Sequence, residues 1–198
     1  LVVRINGNEF MPGGLGRKQL QQYAVQLTEA GVDALCINVG WHEARVPQIV
    51  ASVPRGVVGY LARGIREKVG VPVIASHRIP DAHTARAMLD EGVCDAVAMG
   101  RALIADPDLP RKVRAQREGS PSEPVRHCVA CAQGCFDKLF LGAHVECLCN
   151  PRAGFEHLAL IPRPDTKKVM VVGGGAAGMS AALAAAGRGH DVTLYESA

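Results

Sequence analysis

Two hydrophobic periods alternate along the first 120 residues. Leu1–Ile5, Ala34–Val39, Val71–Ala75 and Asp95–Met99 are short apolar runs bounded by glycine, proline or polar residues, and they predict strands. Between them, Arg17–Ala30, Val57–Lys68, Asp81–Glu91 and Asp108–Glu118 predict helices. Leu20, Ala24 and Leu27 recur at helical spacing, and Gly31, Gly70 and Gly92 stand where helices stop. Four strand–helix units in a row imply a parallel sheet, and the near-continuous apolar strands imply one covered on both faces.

Four such units fit half of a doubly wound sheet or half of a (β/α)8 barrel. The polar residues gather at the strand-to-helix junctions: Arg4 with Asn6, Trp41-His42-Glu43, Ser76-His77-Arg78, and Gly100-Arg101. In a barrel those junctions form the active face, and none of the four units carries a dinucleotide-type glycine fingerprint. The pattern therefore predicts an α/β protein: half of a (β/α)8 TIM barrel over residues 1–119. Both chain ends read as cuts through secondary structure, so about four further units are expected before Leu1 in a longer protein, because half a barrel leaves raw sheet edges.

Beyond residue 119 the pattern changes. Residues 120–165 have weak periodicity and are bounded by two linkers, Gly119–Pro124 and Ile161–Pro164. Residues 166–198 read as a strand (Lys167–Val172), a glycine run, an Ala-rich helix (Met179–Ala186) and a second strand (Asp191–Tyr195), the opening of a Rossmann-like domain.

Composition narrows the class. Charged residues are 21% of the 198, and 22 Lys and Arg against 19 Asp and Glu leave a net charge of only +3. That excess is too small and too scattered to indicate a nucleic-acid or membrane partner. No run approaches the roughly 18 apolar residues of a membrane span. Five of the seven cysteines crowd between residues 128 and 149. An odd total clustered in this way speaks against a disulfide framework and for a metal or cluster site in a reducing, cytoplasmic compartment.

Four groups of residues carry candidate chemistry. Gly173, Gly175 and Gly178 match G-x-G-x-x-G between a strand and a helix, and Glu196 ends the next strand. The three glycines suit a tight turn, a close approach of backbone to a pyrophosphate and tight helix–strand packing, while the acid suits ribose hydroxyls. The pattern leaves FAD or NAD open. Cys128, Cys131, Cys135 and Cys147 follow C-x2-C-x3-C-x11-C. Three cysteines on one loop with a distant fourth suit a [4Fe–4S] cluster better than zinc, although Cys149 competes for the fourth position. Cys36 and Cys94 read as buried apolar residues. Arg78 and Arg101 follow the strands that would be seventh and eighth in a barrel, where phosphate sites recur. His42 follows a strand on the active face and is a candidate general acid or hydrogen-bond donor; Val46 replaces the second His of a metalloprotease motif. His83, His127, His144, His157 and His190 join no constellation and are expected to face solvent.

A barrel, a four-cysteine segment and a nucleotide-binding fold in one chain resemble the iron–sulfur branch of the old yellow enzyme-like flavoproteins. Within it, Gly40-Trp41-His42-Glu43-Ala44-Arg45-Val46-Pro47, Val53-Pro54-Arg55-Gly56, the cysteine spacing and Asn150-Pro151-Arg152-Ala153 are similar to the NADPH-dependent 2,4-dienoyl-CoA reductases. The resemblance implies FMN held by Arg4, Arg78, Gly100 and Arg101, and FAD held by the glycine run with Ala177 and Glu196. It implies His42 beside the substrate, working with a tyrosine acid upstream of Leu1, and an acyl-CoA touching His42, Glu43, Ala44 and Arg45. The implied electron path runs from NADPH to FAD, the cluster, FMN and a dienoyl thioester, as in fatty-acid β-oxidation. A related enone reductase, for a steroid or bile-acid acyl-CoA, and an electron-transfer module without its own substrate stay open. His77 departs from the resemblance, because many relatives have Gly or Asn before the arginine.

Overall fold

In the computed structural model, which describes residues 1–41, 43–158 and 165–197, the chain separates into two compact units, Leu1–Gly154 and Phe155–Ala198. Among these residues no helix is long and apolar enough to cross a membrane.

The first unit is built on β1 (Val2–Asn6), β2 (Ala34–Asn38), β3 (Val73–Ala75) and β4 (Ala96–Val97). All pairs are parallel and the order is β1-β2-β3-β4, with Arg4 opposite Cys36 and Asn6 opposite Asn38. A doubly wound sheet reverses its strand order part-way, whereas a barrel wall runs in sequence, as here. Between the strands lie α1 (Arg17–Glu29), α2 (Gly59–Arg66) and α3 (Ala82–Asp90); α4 (Gly100–Ala105) and α5 (Leu109–Arg117) follow β4.

Strand residues alternate between faces. Ile5, Leu35, Ile37, Val73 and Ala75 join Ala24, Leu61, Ala62, Ile65, Ala85 and Met88 of the helices in one core. Arg4, Asn6 and Asn38 fall on the opposite face and are linked: Arg4 donates to Asn38 Oδ1 (2.7 Å), and Asn38 Nδ2 donates to Asn6 Oδ1 (3.0 Å). The helices thus cover the apolar face of the strands, and the other face turns polar toward the strand ends. The expectation of apolar cover on both faces does not extend to these positions.

Element ends follow local chemistry. The Asp81 carboxylate accepts from the Thr84 amide (2.8 Å) and caps α3, and Gly92, at φ +65°, closes that helix. α2 is shorter than its apolar pattern suggests, spanning Gly59–Arg66 rather than Val57–Lys68, because Val57 and Val58 belong to the turn leading from Gly56. β4 holds only two residues, both paired with β3. The short α4 directly after β4 has no signal in the apolar periodicity.

After α5 the chain returns to the sheet unit through one buried carboxylate. Asp106 is fully buried and pairs with the buried Lys112 Nζ at 2.8 Å. Lys112 also donates to the Pro124 carbonyl (3.0 Å), while Asp106 accepts from the Arg126 amide (2.9 Å). Arg126 Nε reaches the Ala105 carbonyl (3.2 Å). Residues 124–126, just before the first clustered cysteine, are thereby fixed to the end of α4. Burial pushes the Asp106 carboxyl up, but the Lys112 ammonium and the two amides it accepts from hold it below the ordinary carboxylate range.

The cysteine segment contains a π-helical turn (Gln133–Asp137) leading into α6 (Lys138–Phe140). Ala130 and Ala132 take left-handed backbone, φ +56° and +61°, which costs energy for a residue with a Cβ and bends the loop tightly around Cys131.

The second unit contains β5 (Lys168–Val172), α7 (Ala176–Gly187) and β6 (Asp191–Tyr195), with β5 and β6 parallel.

Lys112→Ala leaves the buried Asp106 with only the Arg126 guanidinium, 4.0 Å away, as a cation and should lower stability by about 3 kcal/mol. Asp106→Asn with Lys112→Met should cost less than the sum of the two single changes, because each single change strands the other partner. Urea unfolding of the four proteins checks this. Additive losses would show that the pair is not coupled.

Candidate active site and cysteine cavity

The C-terminal ends of the strands open into two adjoining clefts. The larger, of about 780 Å³, is walled by Arg4, Asn6, Asn38, Trp41, Ala44 and Pro47, among others. The smaller, of about 280 Å³, is walled by Ser76, His77, Arg78, Gly100 and Arg101. Arg4, Ile49, His77 and Phe136 border both.

Of the four residues expected around a flavin phosphate, all border these clefts. Their roles in the fold differ. Arg4 is tied to Asn38. Arg101 donates to the Ile49 carbonyl (2.6 Å), and its guanidinium lies 5.8 Å from the centre of the Phe136 ring. Arg78 is buried, and its Nε donates to the Val53 carbonyl at 2.7 Å. Burial and the neighbouring Arg101 lower its pKa from the ordinary arginine value. Arg78 thus also holds the loop after β2 in place.

His77 and Arg78 both have positive φ, +70° and +50°. Two successive non-glycine residues in this region store strain, which is characteristic of ligand-facing turns. The His77 hydrogen bonds fix its tautomer. The Ser76 hydroxyl donates its one proton to the Ile37 carbonyl (2.6 Å), so in the Ser76–His77 contact (2.9 Å) it can only accept. Nδ1 of His77 therefore carries the proton, leaving Nε2 with a free lone pair. Burial, then the charges of Arg4 and Arg101, bring the His77 pKa down to about 4. The imidazole is neutral at pH 7.

Among the substrate-side residues, Ala44 borders the larger cleft, while Glu43 and Arg45 are exposed and are not among its walls. His42 lies outside the described residues. Trp41, half exposed at 51%, borders the cleft beside Val46 and Pro47.

Cys128, Cys131, Cys135, Cys147 and Cys149 all line one small cavity, whose wall also includes Arg101 and Ile104. Cys36 and Cys94 lie apart in the core of the sheet unit. Burial pushes the thiols of Cys135 and Cys149 up, and Arg101 partly opposes this at Cys135. Among the described residues no three His, Cys, Asp or Glu side chains converge tightly enough to share one metal ion. The cavity shares Arg101, Ile104 and Cys128 with the smaller cleft.

In the second unit, Gly173 has φ +104°, a conformation that favours glycine. A Cβ on Gly178 would fall on the Gly173 carbonyl oxygen. Glu196 accepts from the Gly174 amide, and this bond holds its carboxyl below its ordinary range. The acid at the end of β6 is thus bonded to the glycine run itself. Gly175 and Ala177 are exposed.

Phe136 and the Asn6–Asn38 pair are cleft residues that no motif flagged. Asn38, a polar residue ending an apolar run, is visible in hindsight. Phe136 is separated from the cleft by many residues in sequence and has no local signal. Of the histidines expected to face solvent, His83, His127, His144 and His157 are exposed, whereas His190 is half-buried and accepts from the Lys167 amide.

The His77 pKa links to stability. Unfolded, His77 titrates near 6.5; folded, near 4. As pH falls through that window the unfolded state takes up a proton that the folded state refuses, so stability falls. Between pH 7 and 5 this amounts to about 2 kcal/mol. His77→Asn should remove that part of the pH dependence, and Asn also tolerates positive φ. Urea midpoints at the two pH values check it; equal slopes for both proteins would contradict a neutral buried His77.

Residues 2–120 match the model of the NADH:flavin oxidoreductase / NADH oxidase family, and residues 168–198 match that of an FAD binding domain. The chain is 44% identical over 197 residues to a metal reductase of Desulforamulus reducens, covering 99% of this chain and 29% of that protein. It is 40% identical to an NADH oxidase of Thermoanaerobacter brockii, covering 98% of this chain and 30% of that protein. Among solved structures, a 2-naphthoyl-CoA reductase in complex with 2-naphthoyl-CoA superposes with a TM-score of 0.86 at 38% identity, covering 98% of this chain and 29% of that one. The chain thus spans under a third of the length of each of these relatives. With the match covering the whole four-strand sheet and the arginines of its clefts, this chain belongs to the NADH:flavin oxidoreductase / NADH oxidase family.

Proposed function

We propose that this chain works in an NADPH-dependent flavoprotein reductase that delivers hydride to a conjugated carbon–carbon double bond of an acyl thioester, with a 2,4-dienoyl-CoA as substrate. The observation that carries this reading is the shared wall Arg101–Ile104–Cys128, which borders the arginine-rich cleft and also the cysteine cavity. When bound, FMN would supply hydride transfer in the cleft, a [4Fe–4S] cluster one-electron relay, and FAD two-electron exchange with NADPH.

The chain's own residues would divide the work. Arg4, Arg78, Gly100 and Arg101 would hold the FMN phosphate, with Arg78 set by its bond to Val53 and Arg101 by its bond to Ile49. Cys128, Cys131, Cys135 and Cys147 would bind the cluster, with the Arg101 guanidinium beside them balancing thiolate charge. Gly173, Gly175, Ala177, Gly178 and Glu196 would hold FAD. His42 would donate a hydrogen bond to the thioester carbonyl as negative charge builds on it. Glu43, Ala44 and Arg45 would contact the acyl-CoA, and Trp41, Val46 and Pro47 would exclude water. The similarity to a protein named 2-naphthoyl-CoA reductase favours a second reading, in which the same residues serve another conjugated acyl thioester.

Full-length protein purified without oxygen should contain FMN, FAD and about four iron and four sulfide per chain. Stoichiometric zinc would overturn the cluster assignment. Under stopped flow, dienoyl-CoA should reoxidise the reduced protein faster than an aryl thioester; the reverse order would select the second reading. His42→Ala should slow that reoxidation about 10²- to 10³-fold and leave reduction by NADPH nearly unchanged. Equal slowing of both half-reactions would make His42 structural.

Gly178→Ala should abolish FAD binding, because its methyl group strikes the Gly173 carbonyl, while iron and FMN contents stay at wild-type levels. Retention of FAD would disprove the assignment of the glycine run.

A further inference from the structure

Five thiols face a cavity where a four-iron cluster needs four. Cys128, Cys131 and Cys135 lie on one segment that bends tightly through Ala130 and Ala132. That segment supplies three corners. The fourth must come from the turn Cys147–Asn150, which carries two thiols.

This turn is laid directly on the first segment. The Glu146 amide donates to the Gly134 carbonyl at 2.7 Å, and a Cβ on Gly134 would lie 2.7 Å from the Glu146 oxygen. The base of the turn is pinned as well. The Asn150 amide closes it on the Cys147 carbonyl (3.2 Å), and the buried Asn150 side chain donates to the Ile104 carbonyl (2.9 Å) and accepts from the Arg152 amide (3.1 Å). Leu148, at its apex, is 63% exposed and lines the cavity together with the thiols on either side of it. The turn is thus held at its base while it presents both of its thiols to the same cavity.

We propose that Cys147 and Cys149 are interchangeable ligands for the fourth corner of the cluster. The inference rests on the cluster reading above. The exchange breaks one iron–sulfur bond to Cys147 and forms one to Cys149, and the Cys149 thiol proton passes to the Cys147 sulfur. No electron is gained or lost. The two ligations place the fourth thiolate differently relative to Arg101, so they give the cluster two electronic environments.

The test uses full-length protein purified anaerobically as wild type, Cys147→Ala, Cys149→Ala and the double variant. Alanine is chosen because a serine hydroxyl could itself ligate iron. Iron, sulfide and FMN per chain are measured, with the electron paramagnetic resonance spectrum after dithionite reduction. Both single variants should keep about four irons per chain, and Cys147→Ala should show shifted g-values. The double variant should fall to a three-iron signature or lose iron altogether. FMN at wild-type level shows that each variant is folded. If either single variant loses its cluster as the double variant does while keeping FMN, the thiols are not interchangeable and the one whose loss is fatal is the sole ligand. If the double variant keeps four irons, neither thiol is a ligand and the proposal falls. If wild-type protein itself lacks iron and sulfide, the cluster reading fails instead, which the same analysis reports separately.

Discussion

The buried Asp106 carboxylate governs how the cysteine segment meets the sheet. A carboxylate at zero exposure is tolerable only if paired and fully hydrogen-bonded. Its partners come from α5 (Lys112) and from the returning chain (the Arg126 amide), and the Lys112 ammonium also takes the Pro124 carbonyl. One desolvated charge therefore ties three segments together. Replacing the pair with apolar side chains could be tolerated, but it would lose the directional bonds that fix residues 124–126. The position of Cys128, two residues on, follows from that anchor.

A second anchor acts from the other side. Asn150, buried and bonded to Ile104, fixes the distant turn to the same helix, α4. The two anchors grip the ends of a loop that has little regular secondary structure between them. This explains how a segment with weak hydrophobic periodicity holds its thiols around one cavity. Polar bonds to α4 do what apolar packing does elsewhere in the unit. It also explains why Arg101 and Ile104 border both the cleft and the cavity: α4 is the element to which everything nearby is fastened.

What was legible in the sequence follows from the range of the interaction responsible. The strands and helices of the sheet unit are local patterns, and they fall within one to three residues of their predicted limits in most cases. The parallel order follows from the repeated strand–helix unit, and the junction arginines border the clefts as the pattern suggested. The burial of Cys36 and Cys94 was equally readable, since each sits in an apolar run. The π-helical turn at Gln133–Asp137, the short α4 and the left-handed Ala130 and Ala132 were not readable, because no hydrophobic period marks them and alanine gives no signal for left-handed backbone. Phe136 reaches the cleft only because the anchors bring it there. Asp106 is indistinguishable from a surface carboxylate until Lys112 is seen to be buried beside it.

The electrostatics of the cleft follow from the same arrangement. Arg4, Arg78 and Arg101 converge on a partly desolvated space, and without an anion they repel one another. The site answers with neutrality elsewhere: His77 stays uncharged, its one proton committed to Ser76 and its lone pair left on Nε2. Arg78 and Arg101 spend donors on backbone carbonyls of the loop after β2, Val53 and Ile49, which both fixes and partly screens them. The same Arg101 charge acts on the Cys135 thiol. A phosphate in the cleft would relieve the repulsion among the arginines, and thiolates in the cavity would draw on Arg101 from the opposite side. Arg101 borders both spaces, so one guanidinium charge faces the cleft and the cavity together.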